Sequence, residues 1–416
     1  MLKILIVAYA CEPGRGGEGE IGWTLAERLA RRHRVWVLTR SNNEPVHRAA
    51  RQNGPANPNL SFAYYDLPRL FTAAKGRGGK NFLLYYYFWQ LGSARAIRRL
   101  DAEHDFDVVH HLTGGMDWMP SGAALSGKPF IWGPVGSEDT HPEILRQLPR
   151  GARAKDRLRR TLRSLLRTLD PAVRLTRQKA HVILSHKADS FRGATRGKVV
   201  PFVQTGLDPR DGMVKEKVVL ARGETFRVVF VGELIDWKGA LLALQAFAAF
   251  HRTYPHSCLT MVGTGYLEAR IREEIARSGL SDVVRLTGKL PMEQLVAELH
   301  DADVFLYPSY HHGLATIVLQ AMLTGLPVVC LAGDAIGRTI GQEAGITVEP
   351  SRARAIPDAL ADALLDLATN EELRQRKALA ARGLARRDHS YDVLASRHHD
   401  IYESLAPAAA PAKRLA

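Results

Sequence analysis

Cysteine is scarce in this 416-residue chain: Cys11, Cys258 and Cys330 are odd in number and far apart. They have no metal-ligand spacing, so a disulfide framework and a zinc site are both disfavoured, and the thiols read as small buried or semi-buried groups. Long apolar runs are lacking too. The longest, such as "LKILIVAYA" and "VVFVG", are strand-sized, well short of the ~20 residues that cross a bilayer. The first residues pass straight into a strand pattern at Leu2, without a basic region, an apolar stretch and a small-residue cleavage site. The expectation is a cytoplasmic protein. No recognised nucleic-acid-binding motif accompanies the formal charge of +14, which comes from 57 basic and 43 acidic residues. Nucleic acid is therefore not the expected partner, and anionic lipid or a phosphorylated substrate remains to explain the charge.

What is present is 46% apolar residues over a length too great for one comfortable core, so two domains are expected. Short β-rich runs alternate with amphipathic helical stretches, the pattern of parallel α/β architecture. "LKILIVAYA", the Gly-rich turn "EPGRGGEGE", a helix near "IGWTLAERLARR" and the strand "VWVLT" open a doubly wound sheet. "LSFAYYDL", "FDVVHHLT", "KPFIWG", "AHVILS" and "KVVPFV" are further strands. After "TGLDPRDGMVKEKVVLARGE" the pattern restarts with "FRVVFVGEL" and runs through "CLTMVG", "VVRLTG", "DVFLYPS", "LPVVCLA" and "GITVEP". The expected division is residues 1–203, completed by a C-terminal helix at about 391–406, then residues 204–390, then a flexible Pro- and Ala-rich tail at 407–416. Each unit reads as an α/β sandwich, with a cleft between them.

Residues 150–179 depart from this rhythm, with many basic residues and Leu158, Leu162, Leu165, Leu166 and Leu169 at helical intervals. Two readings stand side by side: a basic amphipathic helix lying on an anionic membrane, or a helix whose leucines pack on the domain. The aromatic run "FLLYYYFWQLG" nearby favours an acceptor-facing or membrane-facing surface.

Three places carry candidate chemistry. Gly14, Gly16, Gly17 and Gly19 precede a helix, where glycine permits close backbone approach and a helix N-terminus favours an anion. Arg40 ends the second strand where a dinucleotide fingerprint needs an acid, which disfavours a nicotinamide enzyme. In "VGELIDWKG", Lys238 stands at the expected start of a helix and can reach a phosphate as a point charge. In "PSYHHGLATIVLQAMLTGLPVVC", a turn leads into a helix expected near Leu314, so its first amides are open to a negatively charged ligand. These motifs supply neither a nucleophile with its base nor a metal cage.

Taken together, "YACEPGRGGEGEIGW", "VGELIDWKG", "MVGTGYLE", "VVRLTGKL", "LHDADVFLYPS" and "GLATIVLQAMLTGLPVV" resemble glycosyltransferase family 4, the group 1 enzymes. "DVVHHLTGG" and "PFIWGPVG" are similar to a bacterial subgroup, and the resemblance spans nearly the whole chain. It implies the GT-B fold, α/β with two Rossmann-like domains and an interdomain cleft. It implies retaining transfer of a sugar from a nucleotide-sugar donor, a UDP- or GDP-sugar, without metal or other cofactor. The acceptor expected from the resemblance is a glycan or a lipid-linked intermediate of surface polysaccharide or glycoconjugate synthesis, and together with the basic helix this makes peripheral contact with an anionic membrane an expectation.

The resemblance gives Lys238 and the Gly16-Gly17 loop the donor diphosphate. It gives Gly313 and the amides of Leu314, Ala315, Thr316 and Ile317 the distal phosphate and sugar. It puts a histidine, His110 or His111, near the reacting carbon; successive strand residues face opposite sides, and the pattern does not choose between the two.

Three departures stand out. His312 and Gln320 replace two carboxylates, and Glu233 stands where a phosphate-binding Arg is common. Gln320 can still bond ribose hydroxyls, and His312 can donate to a sugar hydroxyl or, if protonated, favour a phosphate or a uronic acid. Lys289 or Arg338 is a candidate to offset the charge of Glu233. These departures keep a second reading open, a catalytically degenerate relative that binds a sugar nucleotide or glycan as partner or scaffold.

Overall fold

The computed structural model describes residues 1–14, 16–52, 57–68, 81–136, 150–186, 191, 197–208, 225–310, 313–332, 335–350 and 355–406. His312, most of the boundary stretch (209–224) and the tail (407–416) lie outside the described residues. Along the chain come β1 (Lys3–Ala8), α1 (Gly17–Leu29), β2 (Arg34–Thr39), α2 (Glu44–Gln52), β3 (Leu60–Tyr64), α3 (Phe82–His104) and β4 (Val108–Thr113). β5 (Phe130–Trp132), α4 (Arg150–Leu169), α5 (Pro171–Lys179), β6 (Val182–Ser185) and β7 (Lys198–Pro201) follow.

Then come β8 (Phe226–Val231), α6 (Ala240–Thr253), β9 (Ser257–Val262), α7 (Glu268–Arg277), β10 (Val284–Gly288), α8 (Met292–Asp301) and β11 (Val304–Tyr307). The chain ends with α9 (Thr316–Leu323), β12 (Val328–Leu331), α10 (Ala335–Ile340), β13 (Gly345–Val348), α11 (Ile356–Thr369), α12 (Glu371–His389) and α13 (Tyr391–Leu405). None of the described helices is long and apolar enough to cross a membrane.

The chain divides into two compact units. One comprises Met1–Ser137, Arg157–Gln204 and Tyr391–Ala416, the other Glu138–Asp156 and Thr205–Ser390. The first seven residues of α4 thus group with the second unit, inside the range that the sequence reading gives to the first.

The first unit is built on a seven-stranded sheet of order β3-β2-β1-β4-β5-β6-β7, every pair parallel. Burial on both faces explains the unbroken apolar reading of β1 and β4. Alternate residues sort into two cores. Ile4, Ile6, Val108 and Leu112 face Leu25, Leu29 and Leu394; Leu5, Val7 and Val109 face Tyr86, Trp89 and Ile97. α13 closes the first of these faces against α1, where Arg28 and Arg31 both pair with Asp392 at 3.1 and 3.2 Å. α5 starts sharply because Asp170 accepts from the amides of Ala172 and Val173 at 2.7 and 3.1 Å, with Pro171 in the first turn.

The second unit repeats the plan in a six-stranded parallel sheet of order β10-β9-β8-β11-β12-β13. α11 packs on α6, and α9 packs on α12. α9 is apolar nearly all round and is buried accordingly, from Val318 to Leu323.

The buried histidines set an acid limit on this fold. Burial holds His111 and His398 down to about 4, and His110 well below its usual 6.5. All three stay neutral in the folded state, while the unfolded chain takes up protons below about pH 6.5. Their contribution to stability is therefore expected to be constant above that pH and to fall between pH 6.5 and 4, by roughly 3 kcal/mol each for His111 and His398. Denaturant titrations across this window measure the slope. His398→Leu should make it shallower, because the His398 ring sits fully buried and, among the described residues, has Leu394 O as its one hydrogen-bond partner, at 2.8 Å. An unchanged slope in that variant would remove His398 from the account.

Candidate phosphate site and the buried histidines

In an open parallel sheet the ligand crevice lies beyond the carboxyl ends of the strands, where strand order reverses. In the second unit the reversal falls between β8 and β11, which are direct neighbours. The chain leaving β8 carries Lys238, and the chain leaving β11 leads to α9. These two loops are tied together: Trp237 O accepts from the amide of Tyr310 at 2.9 Å and from Ser309 Oγ at 3.1 Å.

Gly239 makes the approach feasible. Its φ is 72°, and a Cβ there would stand 2.1 Å from Pro308 O. Tyr266 steadies the turn from the other side, donating to Asp236 Oδ2 at 2.7 Å and accepting from the Asp236 amide at 3.3 Å.

Two details differ from the sequence reading. Lys238 belongs to a short 3-10 turn, Asp236–Lys238, and α6 begins only at Ala240, because the left-handed Gly239 separates them. α9 begins at Thr316 rather than near Leu314, since Ala315 is extended and caps it. Leu314 is instead fixed by its carbonyl, which accepts from Thr205 Oγ1 at 2.7 Å.

The site's electrostatics favour an anion. The N-cap of α9, Ala315, offers no side-chain cap, and the first turn holds no acidic residue. The early amides of a helix have no intrahelical partner and carry the positive end of the macrodipole. Residues Ala315, Thr316 and Ile317 are half-buried, so this end is reachable and only partly screened. Lys238 is half-buried too, and no carboxylate pairs with it among the described residues.

The remaining expected residues lie around this core. Gln320 is buried on α9, its amide nitrogen 4.0 Å from Met292 Sδ, so it reaches toward the β10–α8 connection that also carries Lys289. Lys289 is exposed and follows β10, two strands from β8, on the order of 10 Å away in the sheet. Glu233 is exposed on the chain leaving β8, without an ion pair among the described residues. Arg338 is exposed on α10.

In the first unit the reversal falls between β1 and β4. Gly16 and Gly17 take φ of 73° and 61° at the start of α1. Two acids of its first turn bond neighbouring loop amides: Glu20 accepts from the Gly14 amide, and Glu18 accepts from the Gly114 amide at 3.3 Å. Thr113 Oγ1 ties the two loops, accepting from the Ala10 amide at 3.0 Å and donating to Ala10 O at 2.9 Å. Arg40 is engaged by an ion pair with Glu12 and lies 4.8 Å over the Tyr9 ring.

Both histidines of β4 are buried, on opposite faces. His110 is held between Tyr402 Oη and Gly133 O, each at 2.7 Å. His111 meets Ser121 Oγ at 2.8 Å and Tyr86 Oη at 3.4 Å, and Tyr86 donates to Gly114 O at 2.8 Å just past the strand end. His111 is thus linked through Tyr86 to the loop after β4, and His110 to the chain just past β5 and to the closing helix α13. Sequence reasoning missed Tyr86, Ser121 and Tyr266, because each reaches its partner across at least ten residues of chain with no motif to mark it.

Residues 214–383 match the family "Glycosyl transferases group 1". Among curated proteins, the amylovoran biosynthesis glycosyltransferase AmsK of Erwinia amylovora is 28% identical over 48% of this chain and 50% of its own length. The putative colanic acid biosynthesis glycosyltransferase WcaL of Escherichia coli is 31% identical over 37% of this chain and 39% of its own. The chain thus matches these relatives over about half of their length or less. Solved structures match almost end to end. Sucrose-phosphate synthase from Thermosynechococcus elongatus has a TM-score of 0.63 at 16% identity, covering 97% of this chain and 99% of that one. Anabaena Alr3699/HepE in complex with UDP and glucose has a TM-score of 0.58 at 15% identity, covering 97% and 100%. At these identities the likeness is one of fold. The fold is GT-B, with two parallel sheets each flanked by helices.

Gly239→Ala tests the join of the two loops. It is expected to cost roughly 2 to 3 kcal/mol in denaturant unfolding, from the left-handed backbone and the clash with Pro308 O. Gly383→Ala, inside α12 with nothing within 4 Å of a built Cβ, should instead gain about 0.5 to 1 kcal/mol. Equal effects at the two positions would mean that the close approach at Gly239 is not a constraint.

Proposed function

We propose that the protein is a nucleotide-sugar-dependent glycosyltransferase of surface polysaccharide or glycoconjugate synthesis. The observation that carries this reading is the join at the β8/β11 reversal, where the loop bearing Lys238, which has no carboxylate partner among the described residues, is bonded to the loop leading to α9, whose first turn carries no acid. The group 1 match over residues 214–383 supports it. In this reading Lys238, Gly313 and the amides of Leu314, Ala315, Thr316 and Ile317 bind the diphosphate and sugar of a UDP- or GDP-sugar. Gln320 bonds the ribose, and His312 bonds the sugar. The acceptor, a glycan or a lipid-linked intermediate, belongs to the first unit, with His111 as the β4 histidine nearer its loops.

The chemistry follows from the charge. The bond from the sugar's anomeric carbon to the diphosphate breaks, the acceptor oxygen bonds that carbon on the same face, and the acceptor proton leaves with the departing diphosphate. Negative charge grows on the distal phosphate as the bond lengthens. Fixed amides and Lys238 stabilise it at low reorganisation cost, which is the main catalytic demand, and the step as proposed needs no metal. Glu233, exposed and without an ion pair among the described residues, favours a second reading, a catalytically degenerate relative that binds a sugar nucleotide or glycan as partner or scaffold.

Thermal unfolding against UDP, GDP, ADP, CMP and dTDP, with their sugars, is the first test, since a ligand of the folded state raises the midpoint by mass action. One base should raise it above the others. Lys238→Ala should weaken that nucleotide about tenfold or more, the scale of a lost charge-assisted contact. His312→Ala should lower turnover more than Gln320→Ala. Unchanged nucleotide affinity in the lysine variant would show that the phosphate site lies elsewhere. Binding without transfer or donor hydrolysis would select the second reading.

A further inference from the structure

Four of the five leucines of α4 are turned away from the protein. Leu158, Leu162, Leu165 and Leu169 are 71%, 54%, 48% and 66% exposed. At 3.6 residues per turn their spacings of four, three and four place them within about 60° of one another on one helix face.

The opposite face is the anchored one. Arg167 makes a two-point ion pair with the buried Asp117 at 3.1 Å, and Arg163 lies 5.3 Å over the Trp118 ring. Of the five leucines only Leu166, at the edge of the stripe, packs on the core. The reading in which the leucine face packs on the domain therefore fails for the other four.

α3 extends the surface. Tyr87 donates to Asp170 at 2.7 Å, immediately after Leu169, and on the same helix Leu84 and Phe88 are 61% and 41% exposed. Such an apolar stripe marks a docking surface.

The charge beside it decides the occupant. α4 holds eight Arg and Lys residues and a single acid, Asp156, and Arg157, Arg159 and Arg160 are exposed. The helical spacing puts Arg157 and Arg159 on the two flanks of the leucine stripe. A second copy of this helix would set like charges against each other, whereas an anionic lipid surface accepts both the leucines and the arginines.

We propose that the face formed by Leu158, Leu162, Leu165 and Leu169 of α4, with Leu84 and Phe88 of α3, docks in the plane of an anionic phospholipid bilayer. The leucines enter the acyl boundary and the arginines meet the headgroups. This surface stands on its own geometry, so the glycosyltransferase reading can fail without it.

Sedimentation of the full-length protein with vesicles, in the absence of donor and acceptor, is the experiment. Vesicles of phosphatidylglycerol and phosphatidylcholine should retain the protein at low salt, with retention falling as salt screens the arginines. Pure phosphatidylcholine should retain much less. Leu162→Ser with Leu165→Ser should weaken binding to the anionic vesicles by about tenfold or more at an unchanged melting midpoint. Arg157→Gln with Arg159→Gln should weaken it and make it less sensitive to salt.

The proposal is overturned if the anionic vesicles retain nothing, if the leucine pair variant binds like the parent, or if neutral vesicles bind equally well. A dimer of the parent that the leucine variant dissolves, without vesicle binding, would assign the face to a second copy of the chain.

Discussion

The β8/β11 reversal is the constraint on which the candidate site depends. Because β9 and β10 build outward on one side and β12 and β13 on the other, the loops leaving the two central strands have no helix between them. They have to satisfy their own backbone groups. Trp237 O does this by accepting from both the Tyr310 amide and Ser309 Oγ, and the left-handed Gly239 lets the chains close to the distance that requires. The consequence bears on α9: the chain that leads to it is tied to the lysine turn at Ser309 and Tyr310.

The strands were the most legible part of the sequence, because a parallel strand covered on both faces reads as a short apolar run bounded by turn residues. "DVVHHLT" is a telling exception. Two polar residues interrupt the run, yet β4 is buried throughout, because each imidazole finds partners: Tyr402 and Gly133 for His110, Ser121 for His111. Tyr402 lies 292 residues from His110 in the chain, so no local pattern could have assigned the two rings to their faces. Helix starts were less legible. Both the lysine turn and α9 begin their helices later than the periodicity suggests, since an extended Ala315 and a left-handed Gly239 are backbone states that composition does not encode.

α4 shows the opposite limit. Its leucine spacing was plain, and two readings fitted it equally, because periodicity gives a face without saying what the face meets. The answer came from residues on the far side of the helix. Asp117 and Trp118 hold Arg167 and Arg163, which fixes the rotation of the helix and turns the leucines outward. An arginine normally read as solvated surface is here the anchor, and a leucine normally read as core is the exposed group.

The two units share a sheet plan but treat their first helix ends differently. At α1 both Glu18 and Glu20 stand in the first turn, and their carboxylates bond the Gly114 and Gly14 amides outside the helix. A diphosphate arriving there has to displace or oppose two negative charges. At α9 the first turn has no acid and no side-chain cap, and the adjacent cation has no carboxylate partner among the described residues. Equal topology therefore does not mean equal anion affinity. The glycines of the first loop supply backbone shape at α1, while the charge that favours an anion is concentrated at α9, where the sequence offers a histidine-bearing turn and an apolar helix. The substitution at Glu233 carries weight for the same reason: it places one exposed negative charge on the chain leaving β8, the strand whose loop also supplies Lys238.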